Sequence, residues 1–394
     1  MPPIARTPEE WGEALLPLGG RPFHGRQLFR WIQARSVLDA ERMTDLPKAL
    51  RAKLAGLELD RTMQVVDVRR AADNTRKLLV RLPDGATVET VLIPGVTGGR
   101  STLPSPVPMP SEMDADAAAA PDDDEDEGEY AGTRPASPEP IRVTQCVSTQ
   151  VGCAMGCAFC ASGVAGLKRH LGADEIVAQV LAGRALLQDD ERLRNIVFMG
   201  MGEPLHNYEA TARALRLLMH PEGIALSARR ITVSTSGLVP EIARLGADFG
   251  GNLGLAISLH AADDETRSRL MPINRKYPLG VLMDALRAYP LPRRRRITIE
   301  YTLVAGRNDS PGEARKLAKL LRGIPVKVNL IPMNPIAAST LGPPGLTGVL
   351  AFQRVLCDAG YSCFVRRRRG DDVSAACGQL ALLGVKPKVR VDRA

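Results

Sequence analysis

The stretch TQCVSTQVGCAMGCAFC, residues 144–160, decides the fold of this 394-residue chain. It begins with a β-rich run and ends in three cysteines spaced C-x3-C-x2-C, namely Cys153, Cys157 and Cys160. With Cys146, it holds four of the seven cysteines in the chain. Thiols concentrated on a loop after a strand indicate metal or thiol chemistry rather than a framework of structural disulfides.

Outward from this stretch, β-rich runs alternate with helical segments. The further runs are NIVFMG, RRITVSTS, LGLAISLH, RITIEYTLV and VKVNLIPM, and the helical segments include ADEIVAQVLAGRALLQ, YEATARALRLLM, PLGVLMDALRAYP and SPGEARKLAKLL. In the last segment Ser310 is the expected N-cap, with Pro311 at the first helical position. Six such units predict an α/β fold, a partial (β/α)6 barrel over residues 141–385. Ligands of such sheets bind at the carboxyl ends of the strands, here GMGEP, STSG, SLH and PMNP.

Three further regions precede the barrel and one follows it. Residues 1–60 show helical periodicity and predict a small helical accessory domain. Residues 61–97 alternate in polarity around the turn signal Pro83-Asp84-Gly85 and predict a β-hairpin linker. Residues 98–140 are acidic and rich in proline and alanine, which predicts a disordered insertion. Residues 386–394 form a basic tail.

The charge of the chain favours a polyanionic partner. The net charge is +8, but residues 101–140 hold eleven acidic residues against one basic residue, so the remainder carries +18. Such an excess favours nucleic acid, through neutralisation of phosphates. Arg21, Arg26, Arg30 and Arg35 in the helical domain are compatible with phosphate contacts. A basic composition of the genome, or a helical domain used only for packing, would explain the same arginines.

The N-terminal segment favours a cytoplasmic protein. Prolines and acids stand where a signal peptide would carry a basic segment and an apolar stretch. The sequence also contains no apolar run that approaches the ~20 residues of a membrane helix. We therefore expect no membrane association.

The three-cysteine motif predicts an iron–sulfur site. Cysteine thiolates are the usual ligands of a [4Fe–4S] cluster, and three of them leave one iron open to a small chelating molecule. A structural zinc site would need four ligands, for which His170 is the one nearby candidate.

The motif, with Phe159 before its third cysteine, resembles that of radical S-adenosylmethionine (SAM) enzymes. Residues 8–97 and 141–385 further resemble the family of dual-specificity RNA methyltransferases. The signatures are VETVLIP, CVSTQVGCAMGCAFC, FMGMGEP, STSG, AISLHA, LMPINRKYP, IEYTLV, NLIPMNP and RGDDVSAACGQL. The resemblance implies methylation of C2 of an adenine in 23S ribosomal RNA and in transfer RNAs. It also implies a [4Fe–4S] cluster, SAM, and a reductant protein such as flavodoxin or ferredoxin; we expect a monomer.

The resemblance also implies the catalytic residues. Cys377 would carry the methyl group, Glu89 would accept the C2 proton, and Cys146 would resolve the protein–RNA adduct by forming a disulfide with Cys377. Cys153, Cys157 and Cys160 would bind the cluster. The residues matching SAM-binding positions are Gly202, Glu203, Ser234, Ser258, Leu259, His260 and Asn334. Without the resemblance, Cys377 reads as a packed residue and Glu89 as a polar strand position. In the same way, glycine, serine and asparagine at strand ends read as turn formers, and His260 reads as a structural histidine.

Two other functions fit much of the same sequence. A sister enzyme that methylates C8 of the ribosomal adenine shares the cysteines, the GMGE run and AACGQL, although the RGDD run and Pro204 favour C2. A non-catalytic RNA-binding assembly factor with a structural cluster is the second alternative. Cys146, Cys377 and Glu89 argue against that factor.

Overall fold

The computed structural model of the protein describes residues 1–57, 59–95, 139–337, 339–366 and 369–380. The predicted insertion 98–140, apart from residues 139 and 140, lies outside the described residues. So does the predicted basic tail 386–394.

The strands are β1 Gln64–Arg70, β2 Arg76–Arg81, β3 Thr87–Pro94, β4 Ile141–Cys146, β5 Gln150–Val151, β6 Arg169–His170, β7 Glu191–Phe198, β8 Ile231–Thr235, β9 Gly254–Ser258, β10 Ile297–Leu303, β11 Val326–Pro332 and β12 Cys363–Val365. The α-helices are α1 Pro8–Leu15, α2 Pro22–Phe29, α3 Lys48–Ala55, α4 Ala161–Ala165, α5 Ala173–Ala185, α6 Tyr208–Met219, α7 Val239–Phe249, α8 Asp264–Leu270, α9 Leu279–Ala288, α10 Pro311–Leu320 and α11 Leu346–Asp358.

Ten strands form one sheet in the order β1-β2-β3-β4-β7-β8-β9-β10-β11-β12, and the pairs from β4 to β12 are parallel. The six predicted strands are all present, and the open sheet confirms the predicted α/β partial barrel. The seventh parallel strand, β12, escaped prediction because three residues are too short for a periodicity to show.

Burial explains why the parallel strands read as apolar runs. All seven residues of β10 and all five of β8 are buried, because helices cover one face and the barrel interior the other. The α10 helix begins as predicted, with Ser310 Oγ accepting from the N–H of Glu313 at 3.2 Å. These two signals, apolar strands and capped helices, fix the alternation of the fold.

The predicted linker extends the barrel sheet. Strands β1, β2 and β3 run antiparallel to one another, and β3 pairs antiparallel with β4. Between β2 and β3 the predicted turn forms, with Gly85 at φ +81° and Asp84 Oδ1 accepting from the N–H of Ala86. The antiparallel strands therefore lie beside the first barrel strand. The domain boundaries drawn from the sequence stay predictions.

The N-terminal helices pack around fully buried Trp11, Leu15 and Leu28. Helix α1 is closed by a capping box between Thr7 and Glu10. Arg184 of α5 donates to two carbonyl groups of the helical segment at 2.7 Å and so ties it to the barrel. Across the described ranges, the helices are too short or too polar to cross a membrane.

Candidate active site

The three motif cysteines lie on the loop after β4 and line one cavity at the carboxyl ends of the strands. Glycine shapes this loop: Gly152 has φ +80°, and a Cβ there would stand 1.9 Å from the carbonyl oxygen of Gly166. Cys160 then precedes α4, and its N–H donates to the carbonyl of Cys157 at 3.2 Å.

The thiols of the loop lie where charge is unfavourable without a cation. Burial raises the pKa of Cys153 to about 12, and burial together with the neighbouring motif cysteines raises the pKa of Cys157. Burial also raises the pKa of Cys160. A bound cationic centre would reverse this balance, because a coordinating thiol is deprotonated.

The arrangement fits a cubane cluster better than a single zinc ion. Among the residues described, no three His, Cys, Asp or Glu side chains are grouped so that one metal ion could be held. A cubane spreads its thiolates over separate irons, so its ligands need not converge on one point. His170, the candidate fourth ligand, contacts Gln150 and His206 instead.

Most residues predicted to bind SAM line the same cavity as the cysteines. These are Gly202, Glu203, Ser234, Ser258, His260 and Asn334. Leu259 differs, because its side chain is fully buried in the hydrophobic core while its backbone N–H donates to the carbonyl of Glu300. The topology thus brings together polar groups from the ends of β7, β8, β9 and β11, as expected for parallel strands.

Glu203 is held as an acceptor on the wall of the cavity. Its two oxygens accept from the backbone N–H groups of Leu205 at 3.1 Å and Ser236 at 2.7 Å. Burial raises the pKa of Glu203, against the effect of these hydrogen bonds. Gly202 has φ +102°, and a Cβ would collide with the Gln150 side chain at 2.6 Å. The backbone here therefore approaches the cavity more closely than any side chain would allow.

His260 is neutral and fixed in one tautomer. Its Nδ1 accepts from the N–H of Thr302 at 2.8 Å, which leaves the ring proton on Nε2. Burial, followed by nearby Arg267, lowers the pKa of His260 to about 3. The residue has φ +58°, and its ring meets Phe159 edge-on at 4.7 Å.

Unpartnered buried oxygens support a polar ligand in this cavity. Ser236 Oγ, Glu300 Oε2 and Asn334 Oδ1 are buried without a hydrogen-bond partner and belong to residues that line it. Orphaned polar atoms are costly, and a ligand with several donors would satisfy them. The ammonium and hydroxyl groups of SAM have the required chemistry.

Cys377 lines this cavity and also a smaller one that it shares with Cys146. Burial and then the neighbouring Cys377 raise the pKa of Cys146 to about 12. Asn334 Nδ2 donates to the Cys377 carbonyl at 3.0 Å, and Ala161 N–H donates to the Gly378 carbonyl at 2.8 Å. The structure therefore brings both predicted reactive cysteines to the site. All seven cysteines are free thiols.

Glu89 lies on β3, next to β4. Its neighbour Val91 pairs with Cys146, so Glu89 and Cys146 point to the same face of the sheet. The Glu89 side chain is buried and ion-paired with Lys77 at 2.9 Å. It does not stand among the residues that line the two cavities described above.

Three residues of the site were not predicted by the sequence reasoning as site residues. Arg366 lines both cavities, and Cys377, followed by Glu300 and Cys146 against the effect of burial, raises its pKa. Glu300, whose pKa is raised by burial, lines the larger cavity, and Lys77 holds Glu89. Arg366 stood in an arginine cluster with a possible effect on Cys377, but nothing in the sequence separated it from its neighbours.

The arginines of the helical domain have local partners. Arg30 pairs with Glu222 at 3.2 Å and Arg26 reaches the same carboxylate at 3.7 Å, while Arg35 stacks over Trp31 at 4.0 Å. The clusters at 229–230 and 293–296 directly precede β8 and β10. They therefore lie at the amino edge of the sheet, opposite the cavity.

Comparison with known proteins gives consistent matches. Residues 147–321 match the Radical SAM superfamily, and residues 8–58 match the ribosomal RNA large subunit methyltransferase N-terminal domain. The chain is 69% identical over 388 residues to the dual-specificity RNA methyltransferase RlmN of Sorangium cellulosum, covering 98% of this chain and 97% of the relative. It is 45% identical over 373 residues to that of Syntrophobacter fumaroxidans, covering 94% of each. A crystal structure of a radical SAM methyltransferase from Sphaerobacter thermophilus superimposes with a TM-score of 0.81 at 42% identity, covering 96% of this chain and 99% of that one.

Proposed function

Since this chain belongs to the family of dual-specificity radical SAM RNA methyltransferases, we propose that it methylates C2 of an adenine in 23S ribosomal RNA and in transfer RNAs. The observation that carries the proposal is that Cys377 lines the same cavity as the three motif cysteines. A methyl carrier has to lie beside the site where SAM is bound and cleaved.

A radical route fits the target atom. C2 of adenine is electron-poor and cannot attack the methyl group of SAM as a nucleophile would. When bound, the [4Fe–4S] cluster supplies the electron that cleaves SAM to a radical able to remove hydrogen from a methyl group. Cys153, Cys157 and Cys160 would hold that cluster. Glu203 would accept from the SAM ammonium, and Gly202 lets the backbone approach it.

Cys377 performs the ionic half of the reaction. Its thiolate displaces the methyl group of one SAM, so that an S–CH3 bond forms on Cys377 as the sulfonium bond breaks. Arg366, whose pKa is raised mainly by Cys377, supplies the positive charge that favours a thiolate there. Asn334 fixes the backbone of the carrier from the SAM side.

The second half of the reaction joins the methyl carbon to C2 and then releases it. Glu89 would accept the C2 proton of the covalent adduct. Cys146 would then attack Cys377, break the sulfur–carbon link to RNA and leave a disulfide that needs reduction before the next cycle. The shared cavity of Cys146 and Cys377 supports this exchange.

The partners follow from the same chemistry. We place the enzyme in the cytoplasm with its RNA substrates, as a monomer that receives electrons from a protein such as flavodoxin or ferredoxin. Size-exclusion chromatography with light scattering tests the monomer, and reduction of the enzyme by each purified donor tests the partner.

Mass spectrometry of ribosomal nucleosides tests the proposed reaction. A deletion strain should lack 2-methyladenosine at the target site, and a plasmid copy of the gene should restore it. The C8 alternative predicts 8-methyladenosine instead, and its appearance with the gene would refute the C2 assignment. An unchanged nucleoside profile would favour a non-catalytic assembly factor.

A further inference from the structure

Lys77 connects the Glu89 carboxylate with the segment that carries Cys377. Its Nζ lies 2.9 Å from Glu89 Oε1 and 3.2 Å from the carbonyl oxygen of Ser374, three residues before Cys377. The Lys77 and Glu89 side chains are 9% and 8% exposed. Ser374 has φ +52°, so the accepting carbonyl belongs to a sharply turned backbone.

We propose that Lys77 is a positioning residue for proton removal, holding the Glu89 carboxylate in register with the Cys377 segment. This inference rests on the proposed role of Glu89. During the step, the C2–H bond of the adduct breaks, its electron pair stays on the adduct, and the proton bonds to a Glu89 oxygen. Lys77 remains an ammonium group and neither gives nor takes a proton.

The energetics favour a functional reason for this buried pair. Taking two charges out of water costs several kcal/mol per ion, and well-packed apolar residues often replace such pairs without loss of stability. An ammonium group has three N–H donors and can therefore hold a carboxylate and a carbonyl at once. In this way one cation fixes the distance between the base and the carrier.

The neighbouring residue provides a matched control. Arg76 forms the other buried ion pair of β2, with Glu191 at 2.7 Å, and donates to the Leu186 carbonyl at 2.9 Å. Because successive side chains of a strand point to opposite faces, Arg76 lies on the face away from Glu89. Loss of Arg76 removes a buried ion pair without touching the site.

Single-turnover and steady-state assays of Lys77→Met, Lys77→Arg and Arg76→Met test the proposal. For Lys77→Met we expect normal methylation of Cys377, accumulation of covalent protein–RNA adduct, and turnover lowered by roughly 10²-fold, the lower end of a general base contribution. Arg76→Met should not accumulate adduct. Lys77→Arg should recover most of the lost turnover, because it keeps the charge.

Three results would overturn the inference. They are wild-type turnover of Lys77→Met, equal loss in Lys77→Met and Lys77→Arg, and a fall in Cys377 methylation that matches the fall in turnover. If Lys77→Met does not fold, the double variant Lys77→Met/Glu89→Gln removes both charges. It should accumulate the same adduct as Glu89→Gln alone, and a further loss would contradict action through Glu89. Wild-type turnover of Glu89→Gln would instead refute the proposed proton acceptor itself.

Discussion

The side-chain N–H of Asn334 donates to the backbone carbonyl of Cys377 at 3.0 Å. Asn334 follows β11 and lines the cavity that also contains the three motif cysteines. A residue assigned to SAM binding therefore holds the proposed methyl carrier. This contact joins the two halves of the reaction within one site.

The first prediction concerns the carrier. Cys377→Ala should abolish RNA methylation, because no other described thiol lines both the SAM cavity and the cavity of Cys146. RNA affinity, measured by filter binding, should stay within about twofold, since a surface substitution of this size changes binding by less than ~0.5 kcal/mol. Cys357→Ala, which removes an exposed thiol on α11, is the control. A Cys377→Ala enzyme that still methylates would exclude the carrier role.

The second prediction concerns release of the product. Cys146→Ala should accumulate protein covalently attached to RNA, because the nucleophile that breaks the sulfur link is gone. Denaturing gel electrophoresis with labelled RNA detects the adduct. If only free RNA and free enzyme are found under turnover conditions, Cys146 does not resolve an adduct.

The third prediction separates the two edges of the barrel. Arg275 and Lys276 are exposed on the connection after β9, near the cavity, whereas Arg293 and Arg294 are exposed just before β10, at the amino edge. The pair Arg275→Ala/Lys276→Ala should weaken RNA binding and flatten its salt dependence by up to about two charges. The pair Arg293→Ala/Arg294→Ala removes the same charge and should change affinity little. Equal losses from both pairs would show that binding reflects net charge alone.

The fourth prediction concerns pH and His260. The folded pKa of about 3 lies below the ordinary value of 6.5, so the unfolded chain binds the proton first as pH falls. Stability due to the neutral ring is present above pH 6.5 and is lost as pH falls from 6.5 toward 3. At pH 5.5 this loss is about 1.4 kcal/mol.

Chemical denaturation at pH 8 and pH 5.5 checks the effect. His260→Asn suits the positive φ, because asparagine tolerates the left-handed region, and it does not titrate in this range. The difference in unfolding free energy between the two pH values should be smaller in the variant by about 1.4 kcal/mol. An equal pH dependence would mean that His260 is charged or exposed in the native protein.

The sequence predicted the barrel because its strands are buried on both faces and its helices carry caps. It predicted the cysteines of the site through their spacing, and the glycine, serine, histidine and asparagine residues through family motifs. Strand β12 and the continuity of β1–β3 with the barrel sheet needed the structure, since pairing between distant strands leaves no local periodicity.

The roles of Lys77 and Arg366 were hidden for a related reason. In RKLLVRL, Lys77 has the pattern of an exposed strand position, yet it is 9% exposed because the Ser374–Cys377 segment lies over it. Arg366 was one of four consecutive arginines, and only the strand before it decides which one enters the site. Leu259 shows the reverse case, a motif residue whose side chain belongs to the core.

One labelling measurement tests the central claim most directly. Enzyme methylated on Cys377 with a trideuterated methyl group is given unlabelled SAM, reductant and RNA for a single turnover, and the product nucleoside is analysed by mass spectrometry. Transfer through Cys377 predicts deuterium in the methyl group of 2-methyladenosine, with one deuterium passed to 5′-deoxyadenosine. A fully unlabelled methyl group in the product would show that it comes from SAM without passing through Cys377, and would contradict this account.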